Sequence, residues 1–362
     1  MAVRVTPDAG GVGLNVLGPI LPQDGSAPAV LNLPNFCVRC PFSSLHNSTV
    51  IWTCSPVMFI GIEIGGTKLQ IVAGTASGEI VDRRRFTVDR EAAAEGIRQC
   101  IATALPPLMA AHRIQAIGIG FGGPVDWRTG KICCSHQIPG WHEFELGAWA
   151  AKVSGIPVYV DNDANVAALG EALKGAGRGF DPVFWINLGS GVGGGLVAGG
   201  KLYHGAIPGE TEIGHLRLDK SGITVEEKCS GWAIDKRIRK AVAIQGAGRL
   251  AELVGSTVGG ETYHLARAVA DHDPLAQAIL SELADNLGFA LSHVVQLLHP
   301  QVIVIGGGVS LMGEVLREAV ATALPRYVMD SFQPGPKVAL AGLREDSVPV
   351  GALLLAAQRS GL

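Results

Sequence analysis

No stretch of this 362-residue chain approaches the roughly 18 unbroken apolar residues that a membrane-spanning helix needs. Charge is scarce too: Asp, Glu, Lys and Arg together make up 17% of the residues, and the net charge is −3. That balance supplies no broad basic field, which argues against nucleic acid and an anionic membrane as partners. Cysteine is sparse and irregular, at positions 37, 40, 54, 100, 133, 134 and 229. An odd count without regular spacing does not make a disulfide framework, and the chain reads as cytoplasmic. Cys37 and Cys40 form a C-x-x-C pair, but no second pair at matching spacing completes a zinc site.

What the chain does hold is apolar residues, at 48%, and glycine, at 49 residues. The apolar share is enough for a large core and excludes a largely disordered protein, and the length suits two domains. The glycines cluster directly beside apolar runs. There they suit tight turns and close approach of backbone to a ligand, because glycine reaches positive φ without penalty.

Residues 1–57 differ from all that follows, with scattered Pro and Gly, no helical period and no sustained strand alternation. Gly10, Gly11, Gly13, Gly18 and Pro19 interrupt any apolar stretch that would serve a secretory signal. This segment is expected to be a disordered extension or a misassigned start ahead of Met58. From Phe59 onward, strands alternate with helices, the pattern of α/β layers. The expected division is an N-terminal domain over 58–170 and a C-terminal domain over 171–345, with a closing helix over 346–360 packing back on the first. Similar openings at Phe59 and Val183 point to duplicated halves.

Five clusters carry chemistry. Glu63-Ile64-Gly65-Gly66-Thr67-Lys68 joins two strands through a glycine turn whose backbone N–H groups can surround phosphate oxygens. It is neither a Walker A loop nor a dinucleotide fingerprint, since no helix follows it. Gly189-Ser190-Gly191 repeats the arrangement, and Gly306-Gly307-Gly308 ends a strand where a nucleotide base and ribose would find a wall. Asp161-Asn162-Asp163-Ala164-Asn165 stands at a strand end and helix start. One of these polar residues serves as a helix cap, and a carboxylate among them suits a general base for a sugar hydroxyl. Glu212, His215 and Glu226 could together read several hydroxyls.

In order, E-I-G-G-T-K, G-I-G-F-G-G-P-V-D (Gly118–Asp126), I-P-G-W (Ile138–Trp141), D-N-D-A-N, N-L-G-S-G-V-G-G-G, E-I-G-H and V-I-G-G-G-V-S (Val304–Ser310) resemble the ROK family of sugar kinases and sugar-responsive regulators, over roughly residues 58–358. The resemblance implies a two-domain actin/hexokinase/Hsp70-like ATPase fold, with ribonuclease H-like halves and an interdomain cleft. It implies Asp163 as catalytic base, with Gly122, Gly123, Asn162, Glu212, His215 and Glu226 holding the sugar. Gly65, Gly66, Thr67, Lys68, Gly189, Ser190, Gly191, Gly306, Gly307 and Gly308 would bind ATP, and Glu63 would meet magnesium indirectly. The implied activity is ATP-dependent phosphorylation of a hexose, glucokinase-like. Fructose or an N-acetylated aminosugar is the alternative substrate, and a non-catalytic sugar sensor the alternative function. A homodimer is implied as well.

Three positions depart from the family pattern. Glu63 stands where Asp is common, and Gln137 where Asn is frequent. The cysteine-rich stretch that usually follows E-x-G-H is replaced by Gly222-Ile223-Thr224-Val225-Glu226-Glu227-Lys228-Cys229, so no structural zinc is expected. DNA binding is not expected either, because residues 1–57 show no pair of amphipathic helices.

Overall fold

A computed structural model describes residues 57–361, except His136 and Glu210, together with the backbone of two strands near the start. Those strands, β1 (Ala2–Asp8) and β2 (Gly11–Leu17), pair antiparallel. The pairing corrects the expectation that residues 1–57 lack strand alternation. Val3 and Val5 do alternate with Arg4 and Thr6, over a span short enough to be masked by the glycines and prolines that follow. The remainder of that segment, including Cys37, Cys40 and Cys54, lies outside the described residues.

From Met58 the chain builds two five-stranded sheets. The first uses β3 (Met58–Ile64), β4 (Lys68–Thr75), β5 (Ile80–Thr87) and β6 (Ile114–Phe121). After a small ribbon, β7 (Val125–Asp126) with β8 (Lys131–Ile132), it is completed by β9 (Val158–Asn162). The second sheet comprises β10 (Val183–Leu188), β11 (Val192–Ala198), β12 (Lys201–Leu202), β13 (Val302–Gly306) and β14 (Lys337–Leu340). Their orders are β5-β4-β3-β6-β9 and β12-β11-β10-β13-β14. In each, the first strand pairs antiparallel with the second and parallel with the fourth. The duplicated halves expected from the openings at Phe59 and Val183 are present.

The strand types follow from the residues. Interior strands β3, up to Ile62, and β13 read as unbroken apolar runs because both faces are buried. Edge strand β5 carries Arg83, Arg84 and Arg85, charges that keep an open edge from pairing with another chain. Helices α1 (Ala93–Ala111) and α2 (Leu146–Ser154) cover one face of the first sheet. Its other face receives α10 (Ser347–Arg359), where Leu353, Ala356 and Ala357 meet Phe59, Val72 and Ala116. Beside α10 lies α3 (Asp163–Lys174), whose Ala164, Ala167 and Ala168 face the second sheet. Val166 and Leu169 of α3 pack on Val350 and Leu354 of α10. The expected division at 170/171 falls within α3, and the chain passes to the second sheet through residues 175–182.

The outer layer holds α4 (Val225–Cys229), α5 (Gly231–Gln245), α6 (Arg249–Val254), α7 (Thr262–Ala270), α8 (Pro274–Leu298) and α9 (Glu314–Ala323). Layers therefore run helix, sheet, helix, sheet, helix. The middle layer is thin because small residues bring backbones together: a Cβ on Gly118 of β6 would collide with the Ala352 carbonyl oxygen of α10. Among the described residues, no helix is long and apolar enough to cross a membrane.

The join between the second sheet and α10 is closed by a residue without a sequence motif. Glu171 of α3 is 0% exposed. Its carboxylate accepts from the Ala176, Gly342 and Leu343 N–H groups and from Ser347 Oγ, each at 2.8–2.9 Å.

Candidate active site

Strands β3, β6 and β9 are parallel, so their C-terminal ends share one edge of the first sheet. Strands β10 and β13 do the same in the second. Glycine turns leave each of these edges, and ligands of α/β sheets gather at such strand ends. Here a cavity of about 280 Å³ is lined by Glu63, Lys68, Asp163, Asn187, Gly307 and Gly308, drawn from both halves.

Asp163 opens α3, and Asn162 is its cap. The Asn162 Oδ1 accepts from Ala164 N–H at 2.9 Å and Asn165 N–H at 3.3 Å, while its amide donates to the Gly123 carbonyl at 3.0 Å. The capping role expected of one residue in the cluster belongs to Asn162, and its amide has one further hydrogen to donate. Gly122 lies against the Asp163 carboxylate, close enough that an added Cβ would stand 3.4 Å from Oδ2. Burial, then the Glu63 carboxylate, and with a smaller push Glu212, raise the Asp163 carboxyl to about 7, against the Ala164 N–H that favours its ionised form.

Asp161 turns the other way. It is 2% exposed, and its carboxylate is bonded to Asn162 N–H, Asn165 Nδ2 and His204. Two residues apart at a strand end, the two aspartates diverge because the helix begins between them.

On the first glycine turn, Glu63 is buried and accepts from Lys68 Nζ at 3.1 Å and Gln70 Nε2 at 2.8 Å. Burial pushes its carboxyl up, against the pull of Lys68. The side chain of Gln137 lies on Gly66, where any Cβ would strike it, so this departure from the family pattern touches the first glycine turn. The second turn is held from outside. Gly231 N–H at the start of α5 donates to the Gly189 carbonyl at 2.7 Å. Glu226 Oε2 accepts from Val192 N–H at 2.9 Å and lies against Gly191. Gly307 has φ +82°, and a Cβ there would sit 2.5 Å from Asn187 Oδ1, so only glycine fits.

Glu212 and His215, at the two ends of a short 3-10 turn over Ile213–His215, are both exposed. The structure thus brings Glu212 electrostatically close to Asp163, but directs Glu226 to the second turn. The helix carrying Glu226 starts with a capping box, Thr224 Oγ1 accepting from Glu227 N–H while Glu227 accepts from Thr224 N–H. Thr224→Ala is expected to cost about 1 kcal/mol, read as a lower melting temperature. Cys229 ends the same helix 0% exposed inside the second core, and burial pushes its thiol up to about 12.

Sequence reasoning missed Trp185, Ser310, Arg344 and Ser347, which also line the cavity. Ser310 stands inside a quoted motif and was within reach. Arg344 has no motif around it; its one signal is structural, a left-handed φ of 54°.

Repeated α/β halves with glycine turns facing a shared cleft define an actin/hexokinase-type fold. A model of the ROK family matches residues 59–359. The chain is 32% identical over 318 residues to a glucokinase of Halalkalibacterium halodurans, covering 83% of this chain and 95% of that protein. A crystal structure of a ROK family glucokinase from Streptomyces griseus in complex with glucose and AMPPNP is similar, with a TM-score of 0.73 at 31% identity, covering 83% and 99% of the two chains. The ROK hexokinase from Thermus thermophilus gives 0.69 at 28% identity, covering 84% and 99%. This chain belongs to the ROK family.

Proposed function

We propose that the chain is an ATP-dependent hexose kinase, glucokinase-like, with Asp163 as general base. The observation that carries this reading is the place of Asp163: at the start of α3, in a cleft lined by both halves, with its carboxyl raised to about 7. A carboxyl that titrates near the working pH is ionised in a large share of molecules, the form that accepts a proton, and is more basic than an ordinary carboxylate when the hydroxyl oxygen attacks. Glu212, His215 and, through its other carboxylate oxygen, Glu226 would hold other sugar hydroxyls. The turns at Gly65–Lys68 and Gly189–Gly191 would hold the ATP phosphates, with Lys68 as the local cation, and Gly307 would keep the adenosine wall free of side chains. Phosphoryl transfer asks for positioning and charge stabilisation more than for covalent chemistry, which suits a site built of backbone turns.

The carboxylate oxygens of Glu63 and Asp163 in the cavity are the hard donors that magnesium takes, directly or through water. Magnesium at the ATP phosphates would supply charge neutralisation, with Glu63 meeting it indirectly. The two-domain division, a homodimer and a cytoplasmic setting belong to the same reading.

An ATP-consumption screen over glucose, fructose, mannose and N-acetylated aminosugars tests it. Turnover of glucose, dependent on magnesium, is expected. Turnover of fructose or an aminosugar alone would reassign the substrate. Sugar binding without ATP turnover by any sugar would replace the kinase with a sensor.

A further inference from the structure

Behind the aspartate cluster, a contact joins segments far apart in the chain. His204 follows β12, on the segment that leads to Glu212. Its Nε2 lies 2.7 Å from Asp161 Oδ2, and the two side chains are 11% and 3% exposed. The other oxygen of Asp161 accepts from Asn162 N–H at 2.9 Å and Asn165 Nδ2 at 3.0 Å. Both partners belong to the first turn of α3, which carries Asp163. The His204 ring is stacked on Trp127, with centroids 4.2 Å apart and planes at 22°. Trp127 in turn lies under the Arg359 guanidinium at 4.6 Å, at the end of α10. The imidazole is fixed on its face by stacking and at its edge by the carboxylate.

We propose that His204 is a positioning residue for phosphoryl transfer, acting through Asp161 to hold the α3 N-terminus at the angle that aims Asp163 into the cleft. The inference rests on the kinase reading above. A carboxylate buried among N–H donors has a fixed direction only when each oxygen is satisfied. Without His204, one Asp161 oxygen loses its partner, the carboxylate is free to rotate, and Asn162 N–H and Asn165 Nδ2 lose a fixed acceptor. The cap then has a second arrangement, and Asp163 moves with it. Misplacement of a reacting group by about 1 Å can lower turnover a hundredfold. His204 also ties the segment bearing Glu212 to the strand end bearing Asp163, so the residues proposed to hold the sugar and to accept its proton move together.

Two substitutions separate the edge of the ring from its face. His204→Phe keeps the stack on Trp127 but removes the donor to Asp161. His204→Gln keeps a side-chain N–H of similar reach but loses the ring. In steady-state kinetics with the full chain, His204→Phe is expected to lower kcat by about ten- to a hundredfold, with the sugar KM changed less than about threefold. His204→Gln should recover most of that loss. In a double-mutant cycle, His204→Phe added to Asp161→Asn should lower kcat little beyond Asp161→Asn alone, because the two act in one chain. Equal losses in the Phe and Gln variants, a loss confined to KM, or additive losses in the cycle would each overturn the proposal.

Amide hydrogen exchange keeps the test separate from the kinase reading. His204→Phe should speed exchange at Asn162, Ala164 and Asn165 while α10 exchanges as before, and His204→Gln should not. If wild-type protein turns over no sugar, the kinase reading fails. Unchanged exchange in His204→Phe would then overturn the positioning role on its own, and faster exchange would uphold it as a feature of a sugar-binding site.

Discussion

Asp163→Asn is expected to lower kcat by about 10²–10⁴-fold while sugar and ATP still bind, measured by steady-state kinetics with binding followed by calorimetry. The amide keeps the size of the carboxylate and some of its hydrogen bonding but cannot accept the hydroxyl proton. Because the Asp163 carboxyl titrates near 7, wild-type kcat/KM should fall about tenfold per unit below that pH, and the Asn variant should lack this limb. The same shift has a stability consequence. Unfolded, the group ionises near 3.8, and folded near 7. Between these values the native chain holds a proton that the unfolded chain has released. Stability therefore falls as pH climbs from about 4 through 7, by up to about 4 kcal/mol less what solvent in the cleft offsets. Asp163→Asn should accordingly melt higher than wild type at pH 8, with the gap closing by pH 4. Asp161→Asn should behave in the opposite way, losing stability through its buried hydrogen bonds and far less turnover than Asp163→Asn. Equal and small kinetic losses in both variants would remove Asp163 from the role of base.

The second large effect lies away from the chemistry. Glu171→Ala is expected to destabilise the fold by about 3–5 kcal/mol, seen as a shifted denaturant midpoint, or to leave no soluble protein. The Gly342 and Leu343 N–H groups and the Ser347 hydroxyl would lose the acceptor that joins the end of the second sheet to α10. An unpaired buried donor keeps its full desolvation penalty. Glu171→Gln retains one acceptor oxygen and should cost less. A Glu171→Ala protein as stable as wild type would show that water replaces the carboxylate there.

The strands, the glycine turns and their order were legible in the sequence because they depend on neighbours. Unbroken apolar runs such as Val302–Ile305 mark strands buried on both faces, and turn chemistry marks where they end. The family pattern added which residues to watch. That Asn162 is the cap also follows from local backbone, but the choice between Asn and Asp at that point needed coordinates.

The tertiary structure decided the partners. Asp161 and Asp163 are chemically identical and two residues apart, and what distinguishes them includes His204, 43 residues later, bonded to Asp161. Glu171 has the look of a surface glutamate in the middle of a helix until Gly342, 171 residues away, is placed against it. Glu226 was expected among the sugar ligands; the fold adds that one of its oxygens, Oε2, accepts from Val192 N–H at the second turn. Periodicity and turn propensity are set by residues within a few positions of one another, so sequence carries them openly. The hydrogen-bond partner of a buried carboxylate is set by how two sheets and the helices between them pack, and that exists only once the chain has closed.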